Sequence, residues 1–413
     1  RIDFPDDGSL PPSPVRLIDN ETSWLHFTDL VFVDPIGTGF SRIITKKGEK
    51  KDDKVTSGAN PEDKKKFWNV GKDLDALGEL IRRYLTRHRR WSSPIFIAGE
   101  SYGGFRVAKL IQQLQEKDGV GLSGAILISP ALEFELLSGT DYSVLSWVDR
   151  LPTMAAAGYL HGRATPAADS LAGHMAAAET FAREELSVIL ISGAAATAEQ
   201  RDRVFAKMAE LTGLDRALIQ RCAGRVDIRR FSRELLHDEG KVIGLYDASV
   251  TAIDPFPDRT EFQGPDPTLA GLSRLFTAGI YQQLRESLEV DEEIRDYHLL
   301  SYEVFQNWKY DSDGTQQQGR VSSTDEMRYG MSLNPDVKVL ISHGYYDLVT
   351  PYYSSDRLAD QMRLDPQLRA QLTLRHFQGG HMFYTWKESR DAFYQTALTF
   401  YADALSVVEK TSS

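Results

Sequence analysis

The chain has 413 residues, 41% hydrophobic and 26% charged, a globular balance that excludes a disordered or collagen-like polymer. Acidic side chains outnumber basic ones, 59 to 48, for a formal charge of −11. Such a surface repels phosphate backbones and anionic lipid, so neither nucleic acid nor a membrane surface is an expected partner. No apolar run reaches the roughly 18 residues of a spanning helix. With Cys222 as its single cysteine, the chain can form no internal disulfide and no cysteine-based zinc site.

Residues 5–14 are rich in proline and turn formers and read as irregular. The run 30–34 (LVFVD), ended by Pro35, reads as a buried strand feeding a tight loop, and the charged stretch 46–54 as a solvated loop. Phe67, Val70, Leu74, Leu77, Ile81 and Tyr84 recur at helical spacing, which predicts an amphipathic helix to about residue 90. A strand at 95–98, a helix carried by Val107, Leu110, Ile111 and Leu114, and a strand at 125–129 follow. This alternation predicts a parallel sheet with helices on its faces. From 132 to 328 alanine-rich helical stretches take over (175–186, 194–211, 269–288), and strand character returns at 337–342 and 372–377 before a closing helix at 389–408. Because strands resume, the helical block is expected as an insertion: core 1–131, helical cap 132–328, core 329–413.

Gly99-Glu100-Ser101-Tyr102-Gly103 matches G-x-S-x-G between a strand and a helix. On such a turn a serine hydroxyl stands exposed above the sheet, and the helix N-terminus favours developing negative charge. A serine nucleophile needs a base, and the base an orienting carboxylate; in the fold class that carries this turn they follow the serine in the order acid then histidine, on loops after late strands. Asp347 lies just beyond the 337–342 run and His381 just beyond 372–377. The rivals are placed less well: His343 breaks the order, His376 falls within a strand, Asp356 reads as helical and Asp325 precedes the strand.

Together these segments resemble the serine carboxypeptidase family of α/β-hydrolases. The likeness rests on Val33-Asp34-Pro35-Ile36-Gly37-Thr38-Gly39-Phe40-Ser41, the G-E-S-Y-G-G elbow at 99–104, the Asp347 loop ending at Pro351, and Gly379-Gly380-His381-Met382. The segment L-P-T-M-A-A at 151–156 and the scarcity of cysteine look like the bacterial branch. The resemblance implies an α/β-hydrolase fold, a mostly parallel sheet flanked by helices with a large helical cap insertion. It implies Ser101 as nucleophile, His381 as general base, Asp347 as its orienter and the Tyr102 N–H as an oxyanion donor. Glu100 and Asp34 would share a proton where the C-terminal carboxylate of the substrate binds. Two adjacent carboxyls cannot both ionise, so activity on peptides is expected to favour acidic pH. The N-G-G-P-G segment of the family, which supplies a second oxyanion donor, is not found before Asp34. Its natural place is upstream of Arg1, so the intact protein is expected to carry it there.

The leading expectation is thus a serine-type carboxypeptidase acting through an acyl-enzyme on a peptide or small acyl substrate. An esterase or acyltransferase on the same triad, and a non-catalytic binding protein on this fold, are the alternatives. No H-E-x-x-H and no complete glycine fingerprint are present, so neither metal nor cofactor is expected. Cys222 reads as a buried structural thiol. The start at Arg1 and the family likeness point to export, periplasmic or secreted; oligomeric state is not readable.

Overall fold

The computed structural model describes residues 1–43, 65–138, 140–259, 262–290, 297–310 and 321–411. Its centre is a parallel sheet of strands β1 (Phe96–Glu100), β2 (Gly124–Ile128), β5 (Lys338–Gly344) and β6 (Leu372–Phe377), adjacent in that order. Register runs Glu100 opposite Ile128, Ile128 opposite Ser342, and His343 opposite His376. Two short strands, β3 (Lys241–Ile243) and β4 (Thr251–Ile253), form a separate antiparallel ribbon.

The main helices are α1 (Val70–His88), α2 (Tyr102–Glu116), α3 (Val144–Leu160), α4 (Leu171–Phe181), α5 (Ala198–Thr212), α6 (Pro267–Gln282), α7 (Thr324–Leu333), α8 (Tyr352–Gln361) and α9 (Lys387–Thr411). Helix α1 starts where the Asn69 side chain accepts the Lys72 amide at 2.9 Å and ends at Arg89 in the left-handed region.

Strand order explains the layers. The chain steps through the sheet in one direction, so right-handed crossovers put the helices between neighbouring strands, α2 and α8, on one face. Alternation then sorts the side chains. Ala125, Leu127, Val339, Ile341 and Leu372 pack with α1, α2, Met327 and Met331 of α7, and Ala359 of α8. Ile126, Leu340 and Phe377 face the other way, onto Phe393, Phe400 and Tyr401 of α9. The expected architecture, a mostly parallel sheet flanked by helices, is the one observed.

Between β2 and β5 the chain leaves the sheet and builds a second buried cluster from α3, α4, α5 and the shorter helices around them, including Met154, Leu186, Phe205, Leu211 and Phe231. Tyr346, Leu348 and Tyr352, which belong to the loop after β5 and the start of α8, are part of that same cluster. Two clamps fasten the helical block to α8. Arg357 grips Asp149 of α3 through Nε (2.7 Å) and Nη2 (2.6 Å), and the Tyr352 hydroxyl donates to Glu179 of α4 (2.6 Å).

Some expectations change. The 30–34 run is not a strand: it pairs with no strand among the described residues, and Phe32 is 91% exposed. An apolar run becomes a strand only where a ladder partner takes its backbone groups. The 46–54 stretch lies outside the described residues. The β3–β4 ribbon was not foreseen, being too short for an alternating pattern to register. Cys222 is half-buried at the edge of the helical cluster, rather than buried.

Candidate active site

All four strands of the sheet end at one rim, and the chemistry-bearing residues stand just past those ends. Ser101 follows β1 directly, with φ 57° and ψ −118°, a strained backbone for a side chain with a Cβ. Neighbouring bonds hold it there. Its N–H donates to the Ile128 carbonyl (2.9 Å), and its carbonyl accepts the amides of Gly104 (3.0 Å) and Ala131 (3.1 Å). The flanking glycines are needed for close approach: a Cβ on Gly99 would collide with the Gly103 carbonyl, and one on Gly104 with Pro130. The hydroxyl of Ser101 does not cap α2 and has no hydrogen-bond partner among the described residues. Helix α2 begins at Tyr102, so the Tyr102 N–H belongs to the first-turn amides that lack an intrahelical acceptor.

Asp347 is fully buried in the loop after β5. Its Oδ1 accepts the amides of Val349 (2.9 Å) and Thr350 (3.0 Å), while Oδ2 accepts the Thr350 hydroxyl at 2.5 Å. The same Oδ2 lies 2.6 Å from Nδ1 of His381, which leaves Nε2 as the free basic nitrogen of the ring. Burial alone would depress the imidazole pKa, but the charge and hydrogen bond of Asp347, with help from Glu100, outweigh it and the value is raised. The histidine loop is tied to the end of β2, and the acid loop lies against it. The Ser129 hydroxyl donates to the His381 carbonyl (2.8 Å), and the Thr350 hydroxyl lies 3.1 Å from the Ser129 carbonyl. Ser129 therefore adjoins both the elbow, through Ile128, and the histidine loop.

Glu100 is interior. Its Oε2 accepts the Tyr384 hydroxyl at 2.7 Å. Burial raises its pKa, and the Asp347 charge adds to the rise, against the opposing pull of His381 and the Tyr384 bond. Asp34 accepts the Phe40 amide (2.8 Å) and the Tyr297 hydroxyl (3.2 Å). The structure thus brings His381 to Asp347, and Glu100 is close enough to feel the charge of both. It gives Asp34 and Glu100 separate hydrogen-bond partners, without the direct bond that a shared proton needs.

The rival residues find other partners. His343 is buried with Nε2 2.8 Å from the Ser355 hydroxyl, and burial drives its pKa far down. His376 pairs with Asp356 at 3.0 Å, within the span of α8. Asp325 lies in α7. Sequence reasoning overlooked Thr350, Ser129, Tyr384 and the Tyr246–Asp247 pair described below. Thr350 had a readable signal, a hydroxyl three residues after an acid at a loop-to-helix junction; the others had none. Among the described residues no cluster of His, Cys, Asp and Glu could hold a metal ion, and no helix is long and apolar enough to cross a membrane.

Known proteins resemble part of this chain. The serine carboxypeptidase family profile matches residues 10–136, a stretch that contains Asp34 and the Ser101 elbow. Serine carboxypeptidase-like 7 of Arabidopsis thaliana is 30% identical over 138 residues, 32% of this chain and 27% of that protein. Retinoid-inducible serine carboxypeptidase of Rattus norvegicus is 31% identical over 142 residues, 33% of this chain and 26% of its own. Pheromone-processing carboxypeptidase kex1 of Aspergillus fumigatus is 29% identical over 128 residues, 27% of this chain and 16% of its own. The chain spans about a quarter of the length of the first of these relatives. Asp347 and His381 lie outside the family match, so structure alone brings them to the elbow's edge of the sheet. The part of the chain that carries the candidate nucleophile is similar to serine carboxypeptidases.

Proposed function

We propose that the chain is a serine-type carboxypeptidase that cleaves C-terminal peptide bonds through an acyl-enzyme. The observation that carries this reading is the buried His381–Asp347 pair, on the same sheet rim as a strained serine in a G-E-S-Y-G-G elbow. Ser101 Oγ attacks the scissile carbonyl while His381 Nε2 takes the hydroxyl proton. The carbonyl π pair moves onto oxygen, where the Tyr102 N–H receives it. Collapse breaks the C–N bond, and His381 returns its proton to the leaving amine. Water then repeats the sequence on the ester, releasing the shortened peptide and restoring Ser101. Asp347 holds the imidazole in the tautomer that leaves Nε2 unprotonated.

Glu100 is the residue assigned to the substrate's terminal carboxylate, with Tyr384 as its partner in place of Asp34. Its raised pKa keeps the carboxyl protonated to higher pH than an ordinary glutamate, and only the protonated form donates to a carboxylate. The sign follows: peptide hydrolysis weakens as pH rises through the Glu100 pKa. An ester without a terminal carboxylate escapes that limit. The raised pKa of His381 acts on both substrates alike, removing the neutral base on the acid side. The ratio of blocked-dipeptide to ester hydrolysis should therefore fall with rising pH, and in Glu100→Gln it should stay flat. A ratio independent of pH in the parent protein overturns the role of Glu100.

A fluorophosphonate tests the nucleophile. Labelling at Ser101 with hydrolysis of blocked dipeptides is expected; labelling with ester cleavage alone favours an esterase or acyltransferase, since the triad does not select the acyl acceptor. Residues 132–328 are proposed as the cap that shapes the side-chain pockets, although α7 crosses that late edge and packs against the sheet through Met327 and Met331. The family likeness also underlies the proposals of a bacterial-type member and of a periplasmic or secreted location, which cell fractionation would check.

A further inference from the structure

The loop 244–250 joining β3 to β4 comes from the helical block, yet it bonds to both catalytic loops. Toward the acid loop, the Ala248 amide donates to the Tyr346 carbonyl (2.9 Å), and the Leu348 amide donates to the Leu245 carbonyl (3.0 Å). These two bonds bracket Asp347 on either side. Toward the base loop, the His381 amide donates to the Tyr246 carbonyl (2.6 Å), and the Gly380 amide donates to Oδ2 of Asp247 (2.9 Å). The Tyr246 ring stands edge-on to the imidazole, with centroids 5.2 Å apart. The approach is so close that a Cβ on Gly380 would run into the Tyr246 carbonyl and the Asp247 backbone.

Asp247 is buried, and its Oδ1 accepts both the amide (2.9 Å) and the hydroxyl (2.6 Å) of Ser249. Both oxygens are used, and no basic side chain is among its hydrogen-bond partners. An interior carboxylate with no cation beside it is costly. Burial, first among the causes, pushes its pKa up to about 6. Nothing in the proposed chemistry consumes this group. Its geometry accounts for it: two oxygens, one fixed on its own loop and the other on the peptide preceding His381.

We propose that Asp247 is a positioning residue for the catalytic base, fastening the Gly380–His381 loop to a bracket that also holds the Asp347 loop. This rests on the roles proposed for His381 and Asp347. Asp247→Asn keeps the shape but turns an NH2 toward either Gly380 N–H or the Ser249 donors, so one bond is lost. Asp266→Asn is the control. Asp266 accepts the Leu245 amide (2.6 Å) and caps α6 at Leu269 (2.9 Å), supporting the loop without touching either catalytic one.

Two readouts are taken on the full chain: blocked-dipeptide kinetics, and the low-field proton resonance of the His381–Asp347 hydrogen bond. In Asp247→Asn the resonance is expected to shift or vanish, and kcat to fall about tenfold or more with KM little changed. Asp266→Asn, matched for loss of Tm, keeps both. An Asp247→Asn protein that retains the parent resonance and kcat overturns the proposal. If Asp247→Asn does not fold, Ser249→Ala is read the same way; a displaced resonance supports the bracket and an unchanged one overturns it. Should the parent protein show no peptidase activity while the resonance still depends on Asp247, the carboxypeptidase reading fails and the positioning role stands.

Discussion

Two buried regions meet at the rim, and they hold the proposed machinery in different ways. On the sheet side, Ser101 is set by strand-end backbone bonds and glycine contacts, all within or beside β1, α2 and β2. On the helical side, the acid loop is embedded by its neighbours: Tyr346 and Leu348 flank Asp347 and bury themselves in the cluster of the block. The proposed nucleophile is thus a local construction, whereas the proposed acid and base depend on packing between distant parts of the chain. Local strain can be encoded in five consecutive residues; the convergence of 347 and 381 requires a folded block.

Breaking each side in turn sharpens that contrast. The largest effect belongs to Ser101→Ala, which should abolish fluorophosphonate labelling and lower turnover by at least about 10⁴-fold, with Tm nearly unchanged. Asp347→Asn comes next. It preserves the shape but favours the wrong imidazole tautomer, and kcat should drop by about 10³–10⁴.

Arg357→Leu attacks the attachment between block and sheet, not the chemistry. It leaves Asp149 buried with the Ser354 hydroxyl, 2.9 Å away, as its remaining side-chain donor. Stability should fall by about 3–5 kcal/mol in denaturant unfolding, while the labelling rate per folded molecule holds. A loss of labelling without a loss of stability would show that the two regions are not separable. The mildest change is Thr350→Val, which removes one donor from Asp347 Oδ2. Stability should decrease by about 1–2 kcal/mol and kcat by about tenfold, read by thermal unfolding and steady-state kinetics.

Legibility followed the same division. The elbow could be read directly, because its glycines, serine and strand-to-helix switch lie within one short window. Asp347 and His381 were readable from their places after late apolar runs, 34 residues apart, though nothing in those runs says that 2.6 Å will separate them. The 30–34 run illustrates the limit from the other direction. Its composition suits a strand, but Val31, Phe32 and Val33 are exposed, and no strand among the described residues lies beside the run. Asp247 illustrates it again: a single acid between a tyrosine and an alanine carries no mark until Gly380 is packed against it.

What the amino-acid order determined alone is whatever depends on neighbours a few residues apart: helical faces, strand alternation, the parallel α/β alternation and the strained serine turn. Only the tertiary structure decided that Glu100 hydrogen-bonds Tyr384 while Asp34 bonds Phe40 and Tyr297, and that a loop of the helical block hydrogen-bonds the loops carrying Asp347 and His381. The physical reason is range. Propensity and periodicity act through local sterics and burial, whereas a buried carboxylate's partner is chosen by which donors the finished packing brings within about 3 Å.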